Sequence, residues 1–301
     1  MHMEEKTLWG YKGKVCVVTG SSNGMGLAVA RLLVQLGAEV YAVSRSKTNV
    51  EGLAGNILCD LSNKTSIDEA FAQIPKKIDA FFGVAGLSGA KTDYRTTFHC
   101  DFTANKYITE RYLRDHMPSG SSITFVTSTA GLHWEKYQNE QNKVVHAVSW
   151  EETDRSIEKL CRIAPPNFAY IFAKRCLSQY AAEQSLALGP LGIRVNNVMP
   201  GATETGMKDE FEKLAGGKEA LLSETGVSHR LATPEEMAGP IVFLGSALAS
   251  FVSGVDFCVD SADHTSKILK VKKDNMAIPA TNPVILIAAK KMMASQKGKL
   301  K

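Results

Sequence analysis

A strand, a glycine-rich turn and a helix follow one another near the start of this chain, and that order leaves few folds open. Residues 14–19 are short, apolar and β-branched, as in a buried parallel strand. The turn spans residues 19–26, and apolar residues then recur with helical spacing until Gly37. Such a turn lets the backbone approach a pyrophosphate, which the free N–H groups of the helix N-terminus attract. The predicted phosphate-binding residues are Gly20, Ser21, Ser22, Asn23, Gly24, Met25 and Gly26.

The residues after the second strand bear on the choice of dinucleotide. Residues 39–43 complete a βαβ unit, and Ser44 and Arg45 follow at once. In a dinucleotide-binding fold this point meets the adenosine ribose, where an acid would bind a free 2′-hydroxyl and repel a 2′-phosphate. The acid is absent here, so Ser44 and Arg45 favour NADP(H) over NAD(H). The alternative is that Arg45 only faces solvent.

Further apolar runs predict strands over residues 56–59, 78–84, 122–128, 193–198 and 255–260. Asp60 and Leu61 follow the first of these runs, and Asp60 is placed to accept a hydrogen bond from an adenine amino group. Ala85 and Gly86 follow the next run, where a glycine lets the backbone lie close to a cofactor. Ser128 ends the run after that, at the edge of the sheet where ligands bind in such folds.

Tyr170 and Lys174 lie one turn apart on the same face of a predicted helix. An ammonium beside a phenol favours the phenolate, so we expect the pKa of Tyr170 to fall from about 10 toward working pH. Tyr170 is therefore a candidate general acid/base. Taken alone the pair is more typical of a helix surface than of a catalytic site, and it is the neighbouring motifs that favour the catalytic interpretation.

Two segments interrupt the alternation of strands and helices. Residues 132–167 do not read as sheet, and Ser149 to Glu152 predicts a capping box that opens a helix. We interpret this segment as a helical insertion beside the active cleft, which either forms a substrate wall or alters packing between subunits. Residues 205–230 are predicted to be either a mobile substrate lid, hinged at Gly216 and Gly217, or an ordinary surface loop.

The C-terminal residues 266–301 form a basic extension to a single catalytic domain predicted over residues 1–265. From Lys267 to Lys301 there are nine lysines and one acid, in a chain of net charge +4. The body is therefore mildly acidic. The extension either touches nucleic acid or a membrane surface, or only improves solubility, and we predict no nucleic-acid partner. It either packs on a partner subunit or is disordered.

Composition narrows the class of protein. The six cysteines are scattered without a Cys-x-x-Cys pair, and the seven histidines form no metal-binding spacing. This pattern predicts no disulfides and no metal site, and it points to a reducing cytoplasm. The first residues lack the apolar core of a signal peptide, and no apolar run approaches the length of a membrane span.

Several of these motifs, in this order, resemble the short-chain dehydrogenases/reductases over residues 14–262. They are the glycine turn, Ala85-Gly86, Ser128, Tyr170-x-x-x-Lys174 and Pro200-Gly201-x-x-x-Thr205. The resemblance implies an α/β fold, a Rossmann-like doubly wound parallel sheet of about seven strands flanked by helices. It also implies nicotinamide-dependent interconversion of a hydroxyl and a carbonyl, in which the cofactor carries the hydride.

The resemblance also implies roles for individual residues. Tyr170 protonates the carbonyl oxygen, and Ser128 orients that oxygen by a hydrogen bond. Lys174 lowers the pKa of Tyr170 and, with Tyr170, contacts the cofactor at its nicotinamide ribose. Thr203 and Thr205 bind the carboxamide and pyrophosphate region.

The chain also departs from the family pattern. The relay asparagine of the family is matched by Asp101, which we take as a catalytic residue, or by Asn105 after a shift of one turn. Ser128 and Tyr170 are 42 residues apart, more than in most of the family. This makes the chain similar to the bacterial 3α-hydroxysteroid dehydrogenase/carbonyl reductase branch.

The first hypothesis is an NADP(H)-dependent oxidoreductase that interconverts a hydroxyl and a ketone on a bulky apolar substrate, with a hydroxysteroid or ketosteroid first among them. One alternative is a carbonyl reductase of non-steroid substrates such as a sugar, a fatty-acyl intermediate or a quinone. Another is a catalytically idle NADP(H)-sensing protein that uses the basic extension to bind a partner. The resemblance further implies a homo-oligomer.

Overall fold

The computed structural model describes residues 8–274 and 278–299, with side chains described as far as residue 294. Its centre is a parallel sheet of seven strands in the order β3-β2-β1-β4-β5-β6-β7. The predicted doubly wound sheet is thereby confirmed. The strands are β1 Val15–Thr19, β2 Glu39–Ser44, β3 Gly55–Leu58, β4 Ala80–Gly83, β5 Ser122–Val126, β6 Arg194–Pro200 and β7 Asp256–Val259.

The helices lie on both faces of this sheet. A continuous helix, α3, is built from Tyr94–Phe98, His99–Thr103, Ala104–Ile108 and Thr109–Leu113, of which the second and fourth segments have π-helical hydrogen bonding. The other helices are α1 Gly24–Gln35, α2 Lys64–Phe71, α4 Gln138–Val145, α5 Trp150–Ile163, α6 Pro166–Leu188, α7 Lys208–Ala215, α8 Lys218–Leu222, α9 Pro234–Gly245, α10 Asp263–Ile268 and α11 Pro283–Lys299. None of them is long and apolar enough to cross a membrane.

Each face of the sheet has its own core, because successive side chains of a strand point to opposite faces. Val17 and Phe81 belong to the core under α2, α3 and α6, whereas Val18 and Phe82 belong to the core under α1 and α9. All four side chains are fully buried. Burial on both faces explains why the strands read as continuous apolar runs.

The strand order reverses at β1, which pairs with β2 on one side and β4 on the other. Thr19 at the end of β1 lies beside Val43 of β2 and Gly83 of β4. The loops that follow these strands therefore separate above the carboxyl end of β1. Ligands bind at this place in open parallel sheets.

The predicted insertion is the helix pair α4 and α5, which covers α6. The α6 side chains from Phe172 to Ala181 are all buried. At the start of α5, Ser149 Oγ accepts the Glu152 N–H at 3.1 Å as predicted. The Glu152 carboxylate, however, accepts the N–H of Val148 at 2.9 Å rather than that of Ser149. The reciprocal half of the capping box has moved by one residue.

The described part of the C-terminal extension packs on this insertion within the same chain. Leu286 of α11 is fully buried and joins the core under α6. One Glu140 oxygen accepts the N–H groups of Ala280 and Thr281, each at 3.1 Å. The buried Arg175 donates to the Ile278 carbonyl at 2.7 Å. Residues 275–277 and 300–301 of the predicted basic extension lie outside the described residues.

Candidate active site

The turn between β1 and α1 is packed tightly against its surroundings. A β-carbon on Gly26 would lie 2.2 Å from the Gly20 carbonyl oxygen, and one on Gly20 would lie 2.7 Å from the Cα of Ala85. Gly20 also has a φ of +69°, a left-handed conformation that favours glycine. Asn23 begins α1 by accepting the Gly24 N–H at 2.7 Å. The turn thus presents backbone rather than side chains at a helix N-terminus, as an anion requires.

A cleft of about 540 Å³ opens above this turn, within the size range of small-molecule sites. Most of the predicted cofactor-binding residues line it, and four of them, Ser21, Thr203, Tyr170 and Lys174, do not. Those that line it are Gly20, Ser22, Asn23, Gly24, Met25, Gly26, Ser44, Arg45, Asp60, Leu61, Ala85, Gly86 and Thr205.

Three predicted hydroxyl groups have hydrogen-bond partners within the protein. The buried Ser21 Oγ lies 2.8 Å from Thr48 Oγ1. Thr203 Oγ1 donates to the Gly201 carbonyl at 3.0 Å. The Ser44 hydroxyl donates to the Ser46 carbonyl, and its side chain is buried. Arg45, which is exposed, remains available at the ribose end, and the role predicted for Ser44 beside it stays a prediction.

Asp60 lies at the same end of the cleft. Its Oδ1 accepts the N–H and the hydroxyl of Ser62, at 2.9 and 2.7 Å. These bonds fix the carboxylate while leaving its second oxygen for a ligand donor. The exposed Lys47 and the cleft-lining Ser46 follow Arg45, and the sequence reading overlooked both.

Ser128 and Tyr170 are brought together where the turn after β5 packs on α6. A β-carbon on Gly131 would lie 2.8 Å from Ser178 Oγ and 3.2 Å from the Lys174 carbonyl, so the turn touches the helix directly. Ser128 itself caps this turn by accepting the Ala130 N–H at 3.1 Å. It lies close enough to the Tyr170 phenol to act on the pKa of that group. The predicted pair is thus assembled at the carboxyl end of β5.

The charge state of Tyr170 differs from the prediction. Burial raises the pKa of the Tyr170 phenol above its usual value, and the carboxyl of Asp101 acts in the same direction. The Ser128 hydroxyl opposes them, because it acts to lower the pKa of Tyr170, without reversing the shift. The expected lowering of the Tyr170 pKa is therefore wrong for this structure, and the phenol is protonated at neutral pH.

The position of Lys174 explains in part why the pKa of Tyr170 is raised and not lowered as predicted. Its buried Nζ donates to the Val126 carbonyl at 3.0 Å, at the end of β5. The ammonium lies 5.5 Å from the centroid of the Tyr170 ring. It therefore sits beside the ring face, and its hydrogen bond goes to the backbone of the sheet.

Asp101 reaches the site from the first π-helical segment of α3. It is fully buried, and its Oδ1 accepts the Leu87 N–H at 2.7 Å in the loop after β4. Burial raises the pKa of this carboxyl to about 7, while Lys174 and the Leu87 N–H act against the rise. Asn105 donates to the Asp101 carbonyl at 3.2 Å. Of the two predicted relay positions, Asp101 therefore faces the reacting groups and Asn105 supports it.

The predicted lid contacts both the cleft and Tyr170. In α7 the Phe211 ring lies 5.4 Å from that of Tyr170, centroid to centroid, and edge-on to it. The neighbouring Glu210 is hydrogen-bonded to the Ser88 hydroxyl and lies 2.7 Å from Lys91 Nζ. Gly216 and Gly217 join α7 to α8 with positive φ values. No motif in the sequence marks Ser88, Lys91 or Glu210, because they meet across more than a hundred residues.

Two family models match the chain. The model described as "short chain dehydrogenase" matches residues 14–139, and the model described as "Enoyl-(Acyl carrier protein) reductase" matches residues 156–261. Together the two span more than half of the sequence. The chain belongs to the short-chain dehydrogenase/reductase family. The gap between the two matches falls within the insertion formed by α4 and α5.

Relatives and solved structures agree with this assignment. The coniferyl-alcohol dehydrogenase of a Pseudomonas species is 28% identical, over 82% of this chain and 95% of that protein. The 3-alpha-hydroxysteroid dehydrogenase/carbonyl reductase of Comamonas testosteroni is 24% identical over the same shares. The crystal structure of a 3-alpha-hydroxysteroid dehydrogenase from Pseudomonas sp. B-0831, complexed with NADH, matches with a TM-score of 0.70. The match covers 87% of this chain and 100% of the crystallised chain at 20% identity. The two proteins therefore share the fold.

This short-chain dehydrogenase/reductase has residues that fit a nicotinamide dinucleotide. The close approaches at Gly20 and Gly26 leave the loop free of side chains where a pyrophosphate would lie against the N-terminus of α1. Ala85 and Gly86 border the cleft, and a β-carbon on Gly86 would lie 3.4 Å from Lys174 Nζ. The cradle and the reacting groups thus lie at the same edge of the sheet.

Within the described residues no group of three or more His, Cys, Asp or Glu side chains could hold a metal ion. The titratable groups gathered here are instead a phenol, an ammonium and a carboxyl. Such a set moves protons at a carbonyl or hydroxyl group.

Proposed function

We propose that this protein is an NADP(H)-dependent oxidoreductase that interconverts a hydroxyl and a ketone on a bulky apolar substrate, with a hydroxysteroid or ketosteroid as the first candidate. The observation that carries the proposal is the assembly of Ser128, Tyr170 and Lys174 at the carboxyl end of β5, beside the cleft. The cofactor supplies or accepts the hydride.

Proton transfer in this proposal belongs to Tyr170. In ketone reduction the Tyr170 hydroxyl gives its proton to the carbonyl oxygen, and Ser128 donates a hydrogen bond to the same oxygen. In alcohol oxidation the phenolate takes the hydroxyl proton back. The raised pKa of Tyr170 supplies the protonated phenol that reduction needs. Lys174 holds positive charge beside the ring at 5.5 Å, where it stabilises the phenolate left after proton transfer.

The preference for NADP(H) rests on the charge at the ribose end of the cleft. Arg45 is exposed directly after β2, where an acid would select NAD(H). The exposed Lys47 adds a second cation two residues further on. A guanidinium and an ammonium attract a 2′-phosphate, and the guanidinium can bind it through two parallel hydrogen bonds.

The preference for a bulky apolar substrate rests on the lid. Phe211 stands edge-on to Tyr170, and Met207 lines the cleft from the same side. An aromatic ring and a thioether suit a ring-bearing ketone better than a polar sugar. The names of two relatives point to substrates with rings, coniferyl alcohol and a 3-alpha-hydroxysteroid.

We also propose that the protein is a cytoplasmic homo-oligomer. All six cysteines are free in the structure, which suits a reducing compartment. The edge strand β7 carries the partly exposed Phe257, and the fully exposed Phe251 precedes it. Apolar rings beside an unpaired strand edge are features that association commonly covers.

Oxidation of NADPH and NADH with a panel of 3-, 7-, 17- and 20-ketosteroids and simple aryl ketones tests the proposal. Tyr170→Phe serves as the control, because it keeps the ring and removes the proton donor. We expect turnover of a ketosteroid with NADPH that Tyr170→Phe abolishes. A better rate with NADH would refute the cofactor assignment. Turnover of aryl ketones but of no ketosteroid would mean that the substrate is a carbonyl compound other than a steroid. Tight NADPH binding without any turnover would favour the alternative of a catalytically idle NADP(H)-sensing protein.

A further inference from the structure

The insertion and α3 enclose a second cavity, which has a volume of about 220 Å³. The insertion lines it with Val148, Ser149, Trp150 and Thr153, α3 with Thr103, Lys106, Tyr107, Glu110 and Arg111, and α2 with Lys64. None of these residues lines the cofactor cleft. The cavity is smaller than the roughly 300–1,000 Å³ of sites for drug-sized ligands. Its size therefore suits a single ring with a polar substituent.

Two aromatic side chains form walls of this cavity. The rings of Tyr107 and Trp150 stand at 88° to each other, with their centroids 5.9 Å apart. The Trp150 indole also stacks on the buried His99 ring at 4.7 Å, centroid to centroid. His99 is itself fixed, because its two ring nitrogens lie 3.0 Å from Thr103 Oγ1 and 3.0 Å from Asp154 Oδ1. The walls are thus held in place before a ligand arrives, which reduces the entropic cost of binding a planar ring.

The charges around the cavity leave one cation without a counter-ion. Lys106, whose side chain is 8% exposed, is ion-paired with Glu110. Lys64 is ion-paired with Glu151 at 2.9 Å. Arg111 takes part in no ion pair within the described residues. The cavity can therefore accept one negative charge, at Arg111.

The remaining polar groups of this lining do not compete for that role. Thr153 Oγ1 donates to the Ser149 carbonyl at 3.1 Å, and Ser149 Oγ accepts the Glu152 N–H at 3.1 Å. Glu151 and Glu152 offset the partial positive charge at the N-terminus of α5, so this helix end adds little attraction for an anion. The Arg111 guanidinium thus sets the charge of the ligand, and its planar donors match the two oxygens of a carboxylate.

We propose that this cavity is a binding site for a small aromatic carboxylate, separate from the site of the proposed redox reaction. The ring of the ligand lies in the corner that Tyr107 and Trp150 form, where aromatic rings pack edge-on or offset. Its carboxylate is bound by Arg111. Because no group assigned to the reaction lines the cavity, this inference and the proposed function stand or fall separately.

Binding of 4-fluorobenzoate to the full chain, followed by fluorine NMR, tests the proposal without any turnover. We expect saturable binding with a Kd on the order of 1 mM or below. NADPH should leave this Kd unchanged, because the cavity and the cofactor cleft share no residue. Binding that NADPH abolishes would place the probe in the cofactor cleft and overturn the proposal. The absence of saturable binding up to about 10 mM would overturn it as well.

Arg111→Gln tests the charge of the site. It should raise the Kd for 4-fluorobenzoate about tenfold, because it removes the charge-assisted hydrogen bonds to the carboxylate. Arg114→Gln is the matched control, since Arg114 directly follows α3, is exposed and does not line the cavity. Its Kd should equal that of the wild type. Equal weakening in both variants would show that the probe responds only to surface charge, which would overturn the proposal.

Two further probes test the class of ligand on the wild-type protein. The neutral 4-fluorobenzamide has nearly the same shape as 4-fluorobenzoate, and it should bind about tenfold more weakly. Its Kd should be the same for the wild type and Arg111→Gln. Acetate carries the charge without the ring and should not displace 4-fluorobenzoate at equal concentration. An amide that binds as tightly as the acid, or displacement by acetate, would refute the assignment of an aromatic carboxylate.

Discussion

At the scale of single residues, Gly26 is the position in the phosphate loop with least room. We expect Gly26→Ala to weaken NADPH binding by on the order of tenfold or more, because a methyl group 2.2 Å from the Gly20 carbonyl forces the backbone to move. Gly239→Ala in α9 is the matched control, since its β-carbon would meet nothing within 4 Å. Fluorescence titration with NADPH measures both variants. Equal affinities would show that the loop does not hold the dinucleotide.

Arg45 is the residue on which the proposed preference for NADPH depends. Arg45→Gln should raise the KM for NADPH by about tenfold and leave that for NADH unchanged, because one charge-assisted hydrogen bond is worth about 1.5–3 kcal/mol. Arg31→Gln on the exposed side of α1 removes the same charge away from the cleft, and it should change neither KM. A parallel loss for both cofactors in Arg45→Gln would mean that the guanidinium does not meet a 2′-phosphate.

At the scale of elements, Glu210 holds helix α7, which is part of the predicted lid, to the loop after β4. Glu210→Gln removes the ion pair with Lys91, so we expect faster amide exchange across Lys208–Ala215 and a higher KM for the ketone. Burial raises the pKa of Glu210, but its bonds to Lys91 and Ser88 lower it by a larger amount. The pKa of Glu210 therefore lies below the usual 4.5. This contact therefore stabilises the docked position of α7 fully above about pH 4.5 and is lost as the pH falls through the lowered value.

The control for this variant is Glu212→Gln, which removes a carboxylate from the same helix without touching Ser88 or Lys91. Its exchange rates and KM should match those of the wild type. If Glu210→Gln exchanges no faster than Glu212→Gln, the contact does not hold the lid.

The elements also show how far sequence reasoning reaches. The strands and the glycine turn are predictable because apolar runs and glycines act locally. The contact between Glu210 and Ser88 joins residues that are 122 positions apart, and no periodic pattern in the sequence marks it. The pKa of Tyr170 was predicted in the wrong direction, because the sequence shows the neighbouring Lys174 but not the burial that outweighs it.

At the scale of the whole molecule, the extension after β7 ties together the segments that frame the site. Lys267 of α10 lies 2.6 Å from Glu224, which follows the lid helix α8. His133 in the turn after β5 lies 2.5 Å from Asp274. Lys267, one of the lysines that make the extension look like a detached basic tail, is therefore engaged in an ion pair, with only 7% of its side chain exposed. The net charge of the sequence could not distinguish a detached basic tail from an extension that packs on the rest of the chain.

The docking of α11 makes a prediction about the stability of the whole chain. Leu286 is fully buried in the core under α6, so Leu286→Ala should lower the free energy of unfolding by about 2–5 kcal/mol. Val284, two residues earlier on the same helix, is 77% exposed, and Val284→Ala should change it by less than about 0.5 kcal/mol. Urea unfolding of the full-length variants measures both values. Equal, small effects would mean that α11 does not contribute to the core in solution. A large effect of Leu286→Ala alone would mean that the extension is part of the catalytic domain, so that the predicted boundary at residue 265 does not separate two independent units.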